Sequence, residues 1–131
     1  MQKPNETIQT TVLTNGVSDT SILNEWGSYL AKEDKDLKSV STSQIRKFFG
    51  AIKRIQADFE QSKGEILLLD AKLAYAVGRD FKNGSNQSKI KEFYDLISPL
   101  IKDINQDKKK FKHFVNVFEA IVAYHKAAGG N

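Results

Sequence analysis

At 131 residues the chain can bury one core without metal or disulfide support, which points to a single domain, and its lack of cysteine excludes disulfide scaffolds, thiolate zinc sites and cysteine nucleophiles. The net charge is +4 and unevenly placed: residues 1–40 hold four Lys against six acids, residues 41–131 sixteen Lys or Arg against ten acids. No run nears the roughly 18 apolar residues that cross a bilayer, and Met1–Thr7 lacks the layout of a secretory signal, so the expectation is a soluble cytoplasmic protein with no membrane contact.

Residues 1–18 are rich in Thr, Asn, Gln, Ser and Gly around a scattered Ile8, Val12 and Leu13. They show no helical period and predict a flexible N-terminal tail, with a helical domain over 19–131. Asp19 or Thr20 can cap a first helix carrying Ile22, Leu23, Trp26, Tyr29 and Leu30 at spacings of three and four. A second helix opens at the capping box Ser41-x-x-Gln44 and presents Ile45, Phe48, Phe49, Ile52, Ile55 and Phe59 to the core. Gly64 is the expected break. The third helix, about 65–81, is apolar on more than one face (Ile66, Leu69, Leu73 and Val77, widened by Leu67, Ala74, Gly78 and Phe81), which predicts a central, heavily buried element. After the turn cluster Asn83–Ser88, a fourth helix carries Ile90, Phe93, Leu96 and Ile97, and Pro99 is expected to kink or restart it. A fifth runs from Phe111 to Tyr124 and ends at Gly129-Gly130. The pattern predicts an all-α fold, a compact bundle of about five to six helices.

The second helix carries two kinds of residue on separate faces. Counted at about 100° per residue from Ile45, its core residues cluster near 330°, Arg46, Gly50 and Lys53 fall at about 80–140°, and Lys47 and Arg54 at about 180–200°. No acid within the segment neutralises these four charges. The face is either solvated or a rail for an anionic partner, nucleic acid being the one that a basic stripe suggests. On the third helix Lys72, Tyr75 and Arg79 share one face, where an aromatic between two cations suits contact with a nucleotide; a solvated core rim is the alternative. Lys108–Lys112 with His113 reads as a solvated helix start or a phosphate contact.

Catalytic patterns are missing from the sequence. Gly64, Gly78 and Gly84 match no phosphate-loop spacing. His113 and His125 are twelve residues apart and make no metal pair. Asp70 and Asp80 form no recognisable carboxylate pair, and Ser41 and Ser43 suit capping better than nucleophilic attack. The expectation is no enzyme activity, no cofactor and no metal.

Three segments, in order, carry a family likeness. Ser41-Thr-Ser-Gln-Ile-Arg-Lys-Phe48 resembles the opening of the conserved helix in the small subunit of type III-A CRISPR effector (Csm) complexes. Lys72-Leu-Ala-Tyr-Ala-Val-Gly-Arg-Asp80 is similar to that family's Tyr-x-x-Gly-Arg helix, and Phe114-x-x-x-Phe-Glu-Ala-Ile-Val-Ala-Tyr-His-Lys-x-x-Gly-Gly130 to its C-terminal signature. The resemblance implies a helical bundle without an active site, used in antiviral defense. Copies would stack as a minor filament beside the backbone subunits and the large subunit, along the duplex of guide RNA and target RNA. They would touch the target RNA backbone without reading bases, while cleavage belongs to the other subunits. Carried over by motif, Arg46, Lys47, Lys53, Arg54 and Arg79 are candidate phosphate contacts, with Lys72 just outside the signature's core. The alternatives are the small subunit of a type III-B complex and a helical protein-interaction module that binds no nucleic acid.

Overall fold

A computed structural model describes residues 2–130. The fold is mostly helical, as the periodicity predicts. It comprises α1 (Val12–Asn15), α2 (Ser21–Ala31), α3 (Thr42–Ala57), the single turn α4 (Phe59–Ser62), a 3-10 turn (Lys63–Glu65), α5 (Ile66–Asp80), α6 (Ile90–Asp103) and α7 (Lys108–Ala127). Two short strands, β1 (Phe81–Lys82) and β2 (Ser85–Asn86), pair antiparallel after α5. Their two-residue turn is Asn83-Gly84, both at positive φ (54° and 85°), the conformation that an Asn-Gly hairpin favours. The Asp80 carboxylate fastens the hairpin by accepting from the Gln87 and Ser88 backbone N–H groups at 3.0 Å each.

The centre of the bundle is α7, which packs against α1, α2 and α3, while α5 pairs chiefly with α6. Phe118 of α7 is the hub of the aromatic core: the rings of Phe48, Phe49, Phe93 and Phe114 lie 5.4, 5.9, 5.6 and 6.2 Å from its own. Close α2–α7 contact depends on Gly27, where an added Cβ would stand 2.7 Å from Tyr124 Cβ. Helix ends follow local chemistry. The Asp19 carboxylate accepts from Ser21 N–H at 2.9 Å, Asp107 accepts from Lys110 N–H at 2.9 Å, and Gly129 at φ 91° lets the Gly130 N–H reach His125 O at 3.0 Å.

Several expectations are corrected. The third predicted helix, α5, is peripheral: it buries Ile66, Leu69 and Leu73 and leaves Leu67, Ala74 and Gly78 exposed. Apolar character on several faces marks either a core helix or one with an uncovered side, and here it is the second. The break after α3 comes at Asp58, before Gly64. Pro99 does not restart α6, which passes through it with the proline exposed. Near the N-terminus Ile8 and Leu13 are buried. Trp26 Nε1 donates to Glu6 O at 2.8 Å and His113 Nδ1 to Leu13 O at 2.7 Å.

Candidate nucleic-acid interface

The basic face of α3 begins at a well-made helix start. Ser41 Oγ accepts from Gln44 N–H at 3.1 Å, and the Gln44 amide oxygen accepts from Ser41 N–H at 3.1 Å. Just upstream, Val40 is fully buried and its carbonyl accepts from His125 Nε2 at 2.7 Å, which ties the start of α3 to α7. Ile45, Phe48, Ala51, Ile52 and Ile55 then bury one side of α3. That orientation turns Arg46, Lys47, Lys53 and Arg54 to solvent, and all four are exposed.

The neighbouring helix repeats the arrangement. Lys72, Tyr75 and Arg79 are exposed along α5, to one side of its buried Leu69 and Leu73. Among the described residues the ion pairs use Lys3, Lys63, Lys89, Lys91 and Lys110, so none of the six predicted contact residues is neutralised by a carboxylate. Arg46 and Lys53, Lys47 and Arg54, and Lys72 and Arg79 are each seven residues apart. Seven residues are two helical turns, so each pair shares a face with a step of about 10 Å.

The fold brings two of these cations from different helices together. Arg54 and Lys72 line one groove of about 360 Å³ between the end of α3 and the start of α5, with Ile55 and Leu69 in its wall and Glu65 also lining it. Arg46 and Lys47 lie two turns back along α3, and Arg79 two turns on along α5. Two cations rest on aromatic rings, Lys53 at 5.8 Å from the Phe49 centroid and Arg79 at 5.9 Å from that of Tyr75. These contacts shelter the side-chain stems and leave the charges free to meet an anion. Gly50, between the two α3 pairs, has no atom within 4 Å of where a Cβ would stand.

The remaining basic cluster divides. Lys110 ion-pairs with Asp103 at 3.7 Å, while Lys108, Lys109 and Lys112 are exposed at the start of α7. His113 and His125 both bind backbone carbonyls. Burial holds the His125 imidazole below its ordinary pKa, the adjacent Lys126 charge pushing the same way against its bond to Val40. Hydrogen bonds from the Ser21 backbone and hydroxyl lower the Asp19 carboxyl, and those from the Leu37 and Asp36 N–H groups lower Asp34. Among the described residues no group of three or more His, Asp or Glu could hold a metal ion, and no helix is long and apolar enough to cross a membrane.

Two features carry no signal in the sequence. Lys89 is a fully buried lysine, for which a position between the turn cluster and α6 gives no warning. Asp70 joins α5 to α6 by accepting from Tyr94 Oη at 3.1 Å and from the Ser98 hydroxyl.

A family model described as Csm2 Type III-A matches residues 18–131. No curated protein and no solved structure matches the chain.

Proposed function

The chain belongs to the Csm2 type III-A family, the small subunits of type III-A CRISPR effector complexes, and from that premise we propose that it is a non-catalytic subunit lining the channel for target RNA. Its copies stack as a minor filament beside the backbone subunits, and its basic helix faces meet the target RNA backbone. The observation that carries this reading is the set of six exposed cations on α3 and α5, without ion-pair partners among the described residues and repeating at two-turn intervals. Arg54 and Lys72, which share a groove, contact one stretch of backbone, with Arg46, Lys47 and Lys53 extending it along α3 and Arg79 along α5.

The physics of guided recognition suits such a surface. Base pairing with the guide reads sequence, so the protein needs only charge directed at phosphates. A few phosphates per copy bind weakly, and repetition along a filament multiplies the effect. The engagement of both histidines with backbone carbonyls supports a structural role.

The test is a reconstituted complex carrying Arg54→Ala with Lys72→Ala. Both residues are exposed, so unfolding stability should change by no more than about 0.5 kcal/mol. Target-RNA affinity should fall, and the slope of log affinity against log salt should become shallower by about 0.7 for each phosphate that is no longer neutralised. Unchanged affinity and slope across the titration would reject the groove as an RNA-binding surface.

A further inference from the structure

The two cations of α5 frame an aromatic ring. Counted at about 100° per residue, Leu68, Lys72, Tyr75 and Arg79 fall within about 60° of one another, so the helix presents one stripe in the order apolar, cation, aromatic, cation. All four are exposed, and among the described residues Tyr75 is the most exposed large apolar side chain, at 69%. Helical side chains lean toward the N-terminal turn, so the residues able to cover the Tyr75 ring from the next turn are Gly78 and Arg79. The Arg79 guanidinium lies 5.9 Å from the ring centroid and can take only one of its faces. Gly78 has no side chain to take the other, and no atom lies within 4 Å of a Cβ placed there. Glycine is a poor helix former, and nothing inside the chain calls for it at this position.

The acids of α5 do not neutralise the stripe. Asp70 accepts from the Tyr94 and Ser98 hydroxyls of α6, and Asp80 accepts from the Gln87 and Ser88 backbone N–H groups. An apolar protein surface laid over Tyr75 would bury Lys72 and Arg79 without a counter-charge, which is costly. A nucleotide supplies what the stripe lacks, a flat π-face for the ring and a phosphate for the cation on either side of it. A base inside a duplex gives both faces to its neighbours, so only an unpaired base, or one at a duplex end, can lie on the ring.

We propose that Tyr75 stacks on an unpaired base of the bound RNA, with Lys72 and Arg79 holding the phosphates beside it. The proposal rests on the RNA reading above and adds a base contact to one made of phosphates alone. Every base has a π-face, so the contact tolerates any sequence and leaves recognition to pairing with the guide. Stacking releases no counterions, so its loss lowers affinity and leaves the salt slope as it was. Phosphate contacts respond in the opposite way, with the slope falling alongside the affinity.

The test uses reconstituted complexes that carry the full chain. Tyr75→Leu keeps an apolar side chain and removes the ring. It should weaken target-RNA binding by at least about fivefold, the low end for loss of one base–aromatic stack, with an unchanged salt slope. Tyr75→Phe keeps the ring and should bind as the unmodified chain does. A fluorescent adenine analogue, moved along the target RNA one position at a time, should brighten at one or more positions in the Tyr75→Leu complex and stay quenched in the Tyr75→Phe complex. Unchanged affinity in Tyr75→Leu, a shallower salt slope, the absence of any responding position, or an equal loss in Tyr75→Phe overturns the proposal. So does failure of the Tyr75→Leu chain to enter the complex, which would assign the ring to a protein subunit. The complex carrying Arg54→Ala with Lys72→Ala separates this failure from that of the RNA reading. If that complex loses affinity and slope while Tyr75→Leu loses neither, the phosphate contacts stand and the stacking falls; if neither complex changes, both fall.

Discussion

The Lys89 ammonium donates to the Tyr29 carbonyl at 2.9 Å and lies 3.8 Å from the centroid of the Tyr29 ring. It donates also to the Lys32 carbonyl at 2.6 Å and stands 3.6 Å from the Asp34 carboxylate. These carbonyls belong to the end of α2, where backbone acceptors lack helical partners and the helix dipole is negative. A fully buried lysine is tolerable because it serves as the cap for that end.

Replacement of this cap should therefore cost more than a surface change. Lys89→Met keeps the apolar stem and leaves two carbonyls of the α2 end without their donor. An unsatisfied buried polar group costs about 1–3 kcal/mol, so a loss of roughly 2–4 kcal/mol is expected, read as a lower urea midpoint with unchanged slope. A loss under about 0.5 kcal/mol, the range of a surface substitution, would mean that water replaces the ammonium.

His125 sets an acid limit on stability. Its pKa is depressed in the folded chain, so between that value and the ordinary 6.5 the unfolded chain binds more protons. Stability from this residue is complete above about pH 6.5 and is lost as pH falls below it. The slope for one proton cannot exceed about 1.4 kcal/mol per pH unit. Protonation keeps the Nε2–H donor to Val40 O, so the cost falls on burying the imidazolium charge and not on that bond. Urea midpoints measured from pH 8 to pH 5 should fall along this limb, and His125→Gln should flatten it. An equal fall in the variant would assign the effect to other groups.

The exposed basic face of α3 is legible in the sequence because its determinants are local. A capping box and an apolar period of three and four identify α3, and the same period turns Arg46, Lys47, Lys53 and Arg54 outward. The meeting of Arg54 with Lys72 is not legible, since it depends on how the chain reverses through residues 58–65. The exposure of α5 is hidden for a related reason. Leu67 and Leu68 look like core residues in one dimension, and only packing shows that α7 fills the centre. The seating of Leu13 likewise depends on a bond from His113, one hundred residues away.

Gly50 separates helix stability from binding. No atom lies within 4 Å of a Cβ placed there, and its φ is not positive, so alanine fits without strain. Alanine should raise stability by about 0.5–1 kcal/mol, the usual helix penalty of glycine. If an RNA backbone passes between the Arg46/Lys47 and Lys53/Arg54 pairs, the added methyl also pushes it away, and the assembled complex should bind target RNA less tightly. Thermal unfolding of the isolated chain and RNA titration of the complex read the two effects separately. A gain in stability with reduced RNA affinity fits a close approach at Gly50. The same gain with unchanged affinity would place the RNA elsewhere and shift the binding surface toward Arg54 and Lys72. A loss of stability would show that α3 is held in its helical form by something other than propensity at this position.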